Sequence, residues 1–187
     1  MSKTYIDANQ LLSDAFALTK LIHDSDFKPT VLIALWRGGT PIGIAVQEGL
    51  AFLGVETQHF ALRTRYYANS NQRTDSVQID NLSYIGEHLS NTDRLLIVDD
   101  VFDSGNTVQA LLNKIHSDSS LPTPCEIKIA TPYFKPQQNQ TNIKPDFYLH
   151  ETNEWIVFPH ELSGLSEHEI KRNKPYANIL FDVKTDN

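Results

Sequence analysis

Three carboxylates and a run of small residues share one short stretch, Asp99, Asp100, Asp103, Ser104, Gly105, Asn106 and Thr107. The two sets of residues do different chemistry. Successive backbone N–H groups over Ser104 to Thr107 form an anion-binding concavity, which the dipole of a following helix reinforces. Gly105 lets that backbone approach a ligand closely. Carboxylates beside a phosphate repel it unless they bind a metal, hold sugar hydroxyls or take up a proton. The expected ligand is therefore a phosphorylated sugar with Mg²⁺.

The elements needed to position these groups are legible on both sides. Leu95 to Val98 is a continuous aliphatic run, the mark of a strand buried on both faces. Val108, Leu111, Leu112 and Ile115 recur at helical spacing, so a helix opens at the small-residue run. Acids and cradle then stand at the carboxyl end of a strand, where open α/β sheets bind ligands. A Walker-type loop is excluded, because G-x-x-x-x-G-K-[ST] is absent.

Upstream, Asp7 caps a predicted helix with Leu11, Ala15, Leu18 and Ile22 on one face. Val31 to Leu35 reads as the first core strand. Trp36-Arg37-Gly38-Gly39 follows it, with exposed amides at the glycines and a guanidinium suited to phosphate oxygens. Thr40 and Pro41 are an expected N-cap and first helical residue, with Ile42, Ala45, Val46, Gly49 and Leu53 as the apolar stripe and Gly54 as the stop. Val55 to Leu62 is the second strand. The polar interval from Arg63 to Asn81 reads as a lid or a disordered loop. Ile127 to Ala130 is a further strand, and Phe147–Leu149 and Trp155–Phe158 are short ones. The βαβ alternation implies an α/β fold with a mostly parallel sheet.

Composition narrows the class. The 187 residues fit one domain, and 16 basic against 23 acidic residues give a net charge of −7. No basic block stands out, which argues against nucleic acid as the main partner. The one cysteine permits no internal disulfide. With no apolar leader or membrane span in the sequence, a soluble cytoplasmic protein is the expectation.

The 95–107 run resembles the signature of the type I phosphoribosyltransferases: a hydrophobic strand, two acids and a D-[ST]-G-x-T loop that binds phosphoribosyl pyrophosphate (PRPP). The resemblance covers about residues 30–162. It implies a mostly parallel twisted sheet flanked by helices, with a small hood built from the chain termini. One domain of residues 1–187 is expected, its core at about 28–131 and its hood at about 1–27 and 132–187.

The resemblance also assigns roles. Asp99 and Asp100 would hold the ribose hydroxyls, directly or through Mg²⁺, with Asp100 as metal ligand. Asp103 to Thr107 would cradle the 5′-phosphate, and Asp103 would act as general base or acid at purine N7. Trp36, Arg37 and Gly38 match the pyrophosphate loop, where the family's strained peptide admits a non-proline cis bond at Trp36–Arg37. The interval from Arg65 to Arg73 falls where the family carries its flexible catalytic loop, and Arg73 would reach the pyrophosphate. Lys135 matches the lysine that donates to O6 in the 6-oxopurine members. Glu154 to Glu161 looks like the base segment of the xanthine/guanine/hypoxanthine group, with Trp155 stacking on the purine and the Ile156 backbone reading its edge. His160 departs from the bulky aromatic usual there.

The implied activity is transfer of a phosphoribosyl group from PRPP to a 6-oxopurine, with Mg²⁺ as cofactor, in a homodimer or homotetramer. The alternatives are another base (adenine, orotate or uracil) and a nucleotide-binding regulator of the same fold.

Overall fold

The computed structural model describes residues 3–67 and 76–181. In chain order it holds β1 (Lys3–Tyr5), α1 (Ala8–Asp24), β2 (Val31–Trp36), α2 (Gly39–Phe52), β3 (Gln58–Tyr67), β4 (Ser76–Ile79), α3 (Leu82–Gly86), β5 (Arg94–Val98) and β6 (Val101–Phe102). Then come α4 (Asn106–Ser117), β7 (Glu126–Phe134), β8 (Phe147–Glu151), β9 (Trp155–Val157), α5 (Glu167–Asn173) and a 3₁₀ segment, Pro175–Phe181. These fall into two compact units: Leu12–Asn153, and Met1–Leu11 with Glu154–Asn187.

The larger unit is a sheet flanked by helices, with strand order β4-β3-β2-β5-β7-β6 and β8 paired to β7. Every pairing is parallel except β3 with β4. The aliphatic runs explain its centre. Val31, Ile33, Leu35, Leu95 and Ile97 are buried and share one core with Leu82, Ile85, Val108, Leu111 and Ile115 from α3 and α4. Helix α1 presents Leu11, Ala15, Leu18 and Ile22 to the interior. Asp7 caps it, accepting from the amides of Asn9 and Gln10 at 2.8 and 2.9 Å. Buried Asp14 fastens α1 to β7 by accepting from the Tyr133 hydroxyl at 3.0 Å.

This topology fixes where a ligand can bind. From β2 the chain moves outward to β3, and from β5 it moves the other way to β7, so the order reverses between β2 and β5. The crevice at the carboxyl ends of those two strands is the expected binding place in an open α/β sheet.

Several local readings differ from the structure, and one is the start of the second strand, at Gln58 rather than Val55. The polar flanks of 63–81 are strands: β3 runs on to Tyr67, and Thr64 to Tyr67 pair antiparallel with Ser76 to Ile79. Half-buried Val77 and Ile79 alternate with exposed Gln78, as suits an edge strand despite the surrounding polarity. Helix α2 begins at Gly39 rather than after Thr40, whose hydroxyl donates to the Arg37 carbonyl at 2.6 Å. Its stripe includes Leu50, fully buried, whereas Leu53 is 37% exposed. Strand β7 runs four residues beyond Ala130, because β6 and β8 supply partners for Tyr133 and Phe134.

In the smaller unit β1 pairs parallel with β9, in the register Lys3↔Trp155, Thr4↔Ile156 and Tyr5↔Val157. A reciprocal capping box between Ser166 and Glu169 opens α5. Glu169 also takes Lys3 Nζ at 2.6 Å and the Tyr5 hydroxyl at 3.1 Å. No helix among the described residues is long and apolar enough to cross a membrane.

Candidate functional site

Two loops meet at the switch point of the larger unit. The first leaves β2 through the cis peptide Trp36–Arg37 and enters α2. The second leaves β5 through Asp99 and Asp100. Because Ala34 and Val98 are register partners, the loops emerge side by side. The glycines make this possible. A Cβ on Gly38 would collide with the Asp100 carboxylate, and one on Gly39 would stand 2.8 Å from the Asp99 Cα. Arg37 and Trp36 remain exposed above this contact.

Asp100 is buried, 9% exposed, and its amide donates to Asp99 Oδ1 at 3.0 Å. Burial and the neighbouring Asp100 charge push the Asp99 carboxyl well above the ordinary carboxylate range, against the pull of that amide. Two adjacent carboxylates are hard oxygen donors and fit Mg²⁺, which retains water or ligand oxygens for its other positions. No group of three or more His, Cys, Asp or Glu side chains converges among the described residues. A Mg²⁺ here would thus hold few protein ligands.

The cradle comes next. Gly105 is the N-cap of α4 at φ 78°, a conformation that favours glycine. The turn into α4 lines a concavity of about 70 Å³ with Asp99, Asp103, Ser104, Gly105 and Thr107. Ser104 Oγ accepts from the Asn106 amide at 3.3 Å.

Sequence reading missed a brace on this turn. The Gln140 amide donates to the Ser104 carbonyl at 2.9 Å, and Asn106 Nδ2 donates to Gln140 Oε1 at 3.2 Å. Thr141 stands against Gly105, where its Oγ1 would be 2.6 Å from an added Cβ. The polar interval from Gln137 to Thr141 offers no local signal of this task.

Lys135 sits at the far side of the same crest. Strand β6 pairs with the end of β7, and the Lys135 amide donates to the Phe102 carbonyl at 2.9 Å. The residue is 8% exposed, and Nζ reaches Asp103 Oδ2 at 3.1 Å. The structure thus brings together Trp36, Arg37, Gly38, Asp99, Asp100, Asp103, Ser104, Gly105, Asn106, Thr107 and Lys135 at one sheet edge. Arg73 lies outside the described residues. Trp155 and Ile156 belong to the smaller unit, on β9: Trp155 is 56% exposed and the Ile156 side chain is buried. His160 stacks on Phe158, with ring planes 6° apart.

Comparison with known proteins places this geometry. The model of the phosphoribosyl transferase domain matches residues 2–166. A purine phosphoribosyltransferase from Pyrococcus horikoshii Ot3 is 29% identical, at a TM-score of 0.69 over 89% of this chain and 99% of that one. A hypothetical protein from Neisseria gonorrhoeae with bound ppGpp superposes at a TM-score of 0.74, with 22% identity over 94% of this chain and 97% of that one. The Helicobacter pylori xanthine-guanine-hypoxanthine phosphoribosyltransferase gives 0.62, with 20% identity over 84% and 90%. No curated protein matches the chain.

Proposed function

The chain belongs to the phosphoribosyl transferase domain family, and on that premise we propose that it joins a 6-oxopurine to PRPP, releasing pyrophosphate and a nucleoside 5′-monophosphate. The observation that carries the base assignment is the Lys135–Asp103 pair. A 6-oxopurine presents the acceptor O6 beside N7, whereas adenine presents a donor at the 6-position. An ammonium and a carboxylate 3.1 Å apart offer a donor for O6 next to an acceptor for an N7 proton.

The roles follow from position. The amides of 104–107 hold the 5′-phosphate, and Asp99 and Asp100 hold the ribose hydroxyls. Trp36, Arg37, Gly38 and Arg73 take the pyrophosphate. As the bond from ribose C1 to the pyrophosphate oxygen breaks, one forms to a ring nitrogen of the base, and Asp103 takes or returns the proton at N7. Lys135 moves its donor from Asp103 toward O6. Trp155 offers a stacking face for the ring, and the Ile156 backbone reads its edge. Mg²⁺, when bound by the Asp100 carboxylate and substrate oxygens, supplies charge neutralisation for the departing pyrophosphate. Residues 1–187 act as one functional domain, in a cytoplasmic homodimer or homotetramer.

Pyrophosphate release with Mg²⁺, PRPP and each of hypoxanthine, guanine, xanthine, adenine, orotate and uracil tests the reading. Turnover is expected with one or more 6-oxopurines and not with the other three bases. Equal turnover of adenine would remove Lys135 from base selection. Silence across the panel with PRPP still bound would favour a nucleotide-binding regulator.

A further inference from the structure

Lys174 is 1% exposed, the most deeply buried charged side chain among the described residues, and phosphoribosyl transfer as described above makes no use of it. It follows α5, with its backbone fixed on both sides: its amide donates to Ile170 O at 2.8 Å and its carbonyl accepts from the Ala177 amide at 2.9 Å. Its Nζ donates to the carbonyl of Phe158 and, at 3.3 Å, to that of Pro159. The Tyr176 hydroxyl reaches the same Pro159 carbonyl at 3.1 Å. Glu161 closes the turn, its carboxylate accepting from the Phe158 amide at 3.0 Å and its own amide donating to the Phe158 carbonyl at 3.0 Å.

Burying an ammonium costs several kcal/mol unless its protons are bonded. Desolvation accordingly lowers the Lys174 pKa, and the Glu161 charge works against that fall. A methionine would fill the same space more cheaply. What the amine adds is direction, because it dictates where two successive carbonyls point. Pro159 has no N–H, so its carbonyl is its only backbone handle.

The held residues directly follow β9. That strand has three residues and one partner of equal length, too little to sustain its own shape. Its form therefore depends on clamps at its ends. Before it, the Thr4 hydroxyl bonds the Glu154 carboxylate. After it stand Lys174 and Tyr176.

We propose that Lys174 is a positioning residue for base recognition, its ammonium seated on the Phe158 and Pro159 carbonyls so that β9 presents Trp155 and the Ile156 backbone in one arrangement. This rests on the reading of Trp155 and Ile156 as the base-binding face, and it makes residues 166–181 part of that apparatus.

The test uses the full chain, with KM measured separately for base and PRPP and with amide hydrogen exchange over 156–161. Lys174→Met is expected to raise the base KM about tenfold, the usual worth of a hydrogen bond to a charged group, and to leave the PRPP KM within about twofold. Exchange at 158–161 should accelerate in the same protein. Tyr176→Phe, which keeps the packing, should raise the base KM about threefold with no change for PRPP. If both KM values rise together, or exchange accelerates while the base KM holds, Lys174 is structural only and the proposal falls. Should Lys174→Met lack a cooperative melt, Tyr176→Phe decides alone, and an unchanged base KM overturns the role. A wild-type protein silent on every base would instead sink the functional reading itself.

Discussion

Residues 99–107 and residues 154–160 are both assigned to substrate, yet they are held in place by different means. The first run is an extension of the sheet. Its shape comes from β5, from the turn at Gly105 and from glycines 38 and 39 in the loop beside it, so backbone does most of the work. The second run begins as a three-residue strand whose shape is set by side chains from elsewhere: Thr4 and Glu154 at one end, Lys174 and Tyr176 at the other. The phosphates of PRPP would be the same whichever base is used, and a rigid backbone cradle suits a constant group. A base varies, and side-chain staples can be exchanged without disturbing the sheet.

Substitutions can break or sharpen this contrast. The largest effect belongs to the sheet-borne run. Asp103→Asn should lower kcat by about 10²–10⁴-fold, the usual worth of a general acid or base, with PRPP binding nearly unchanged. Single-turnover rates with saturating PRPP would show it, and wild-type turnover would remove Asp103 from the chemistry. A smaller, more selective effect is expected in the second run. Trp155→Ala should raise the base KM by about 5- to 100-fold, the span of a lost base–aromatic stack, and spare the PRPP KM. Equal losses for both substrates would mean that the two regions are not separable.

The smallest effect is on stability in acid. Glu169 joins β1 to α5, and its carboxyl lies at about 2, lowered chiefly by Lys3 and then by the amide and hydroxyl of Ser166. A carboxylate lowered in the fold contributes stability above its unfolded value of about 4.5, and loses it as pH falls through about 2. The Tm difference between wild type and Glu169→Gln should thus be full at pH 7 and shrink steadily below pH 4.5. A difference that stayed constant down to pH 2 would show that the Lys3–Glu169 pair does not hold the smaller unit.

The same contrast explains what could be read from the chain. Leu95 to Thr107 is contiguous, and each part has a local cause: aliphatic residues for a buried strand, glycine for the positive φ, spaced leucines for the helix. Asp7 and α1 were legible for the same reason. Thr64 to Tyr67 and Ser76 to Ile79 were not, because polar side chains on an edge hairpin look like a loop until the partner strand is known. Gln140 and Lys174 carry no local mark at all. A glutamine in a polar interval and a lysine near the end of a chain read as solvated, and only the tertiary fold brings the one to Ser104 and buries the other. The Lys135–Asp103 contact arises because β6 and β7 end side by side, which neither strand announces alone.

The pairing of β1 with β9 also sets an order of manufacture. Lys3 and its register partner Trp155 are far apart in the chain, so on a ribosome the first strand must wait unpaired until β9 has been made. The contacts described for the 99–107 loop, from Gly38 to Thr141, all come from residues that precede β9 in the chain. The 99–107 loop and the residues that brace it are thus synthesised before the second run has any of its own staples from residues 174–176.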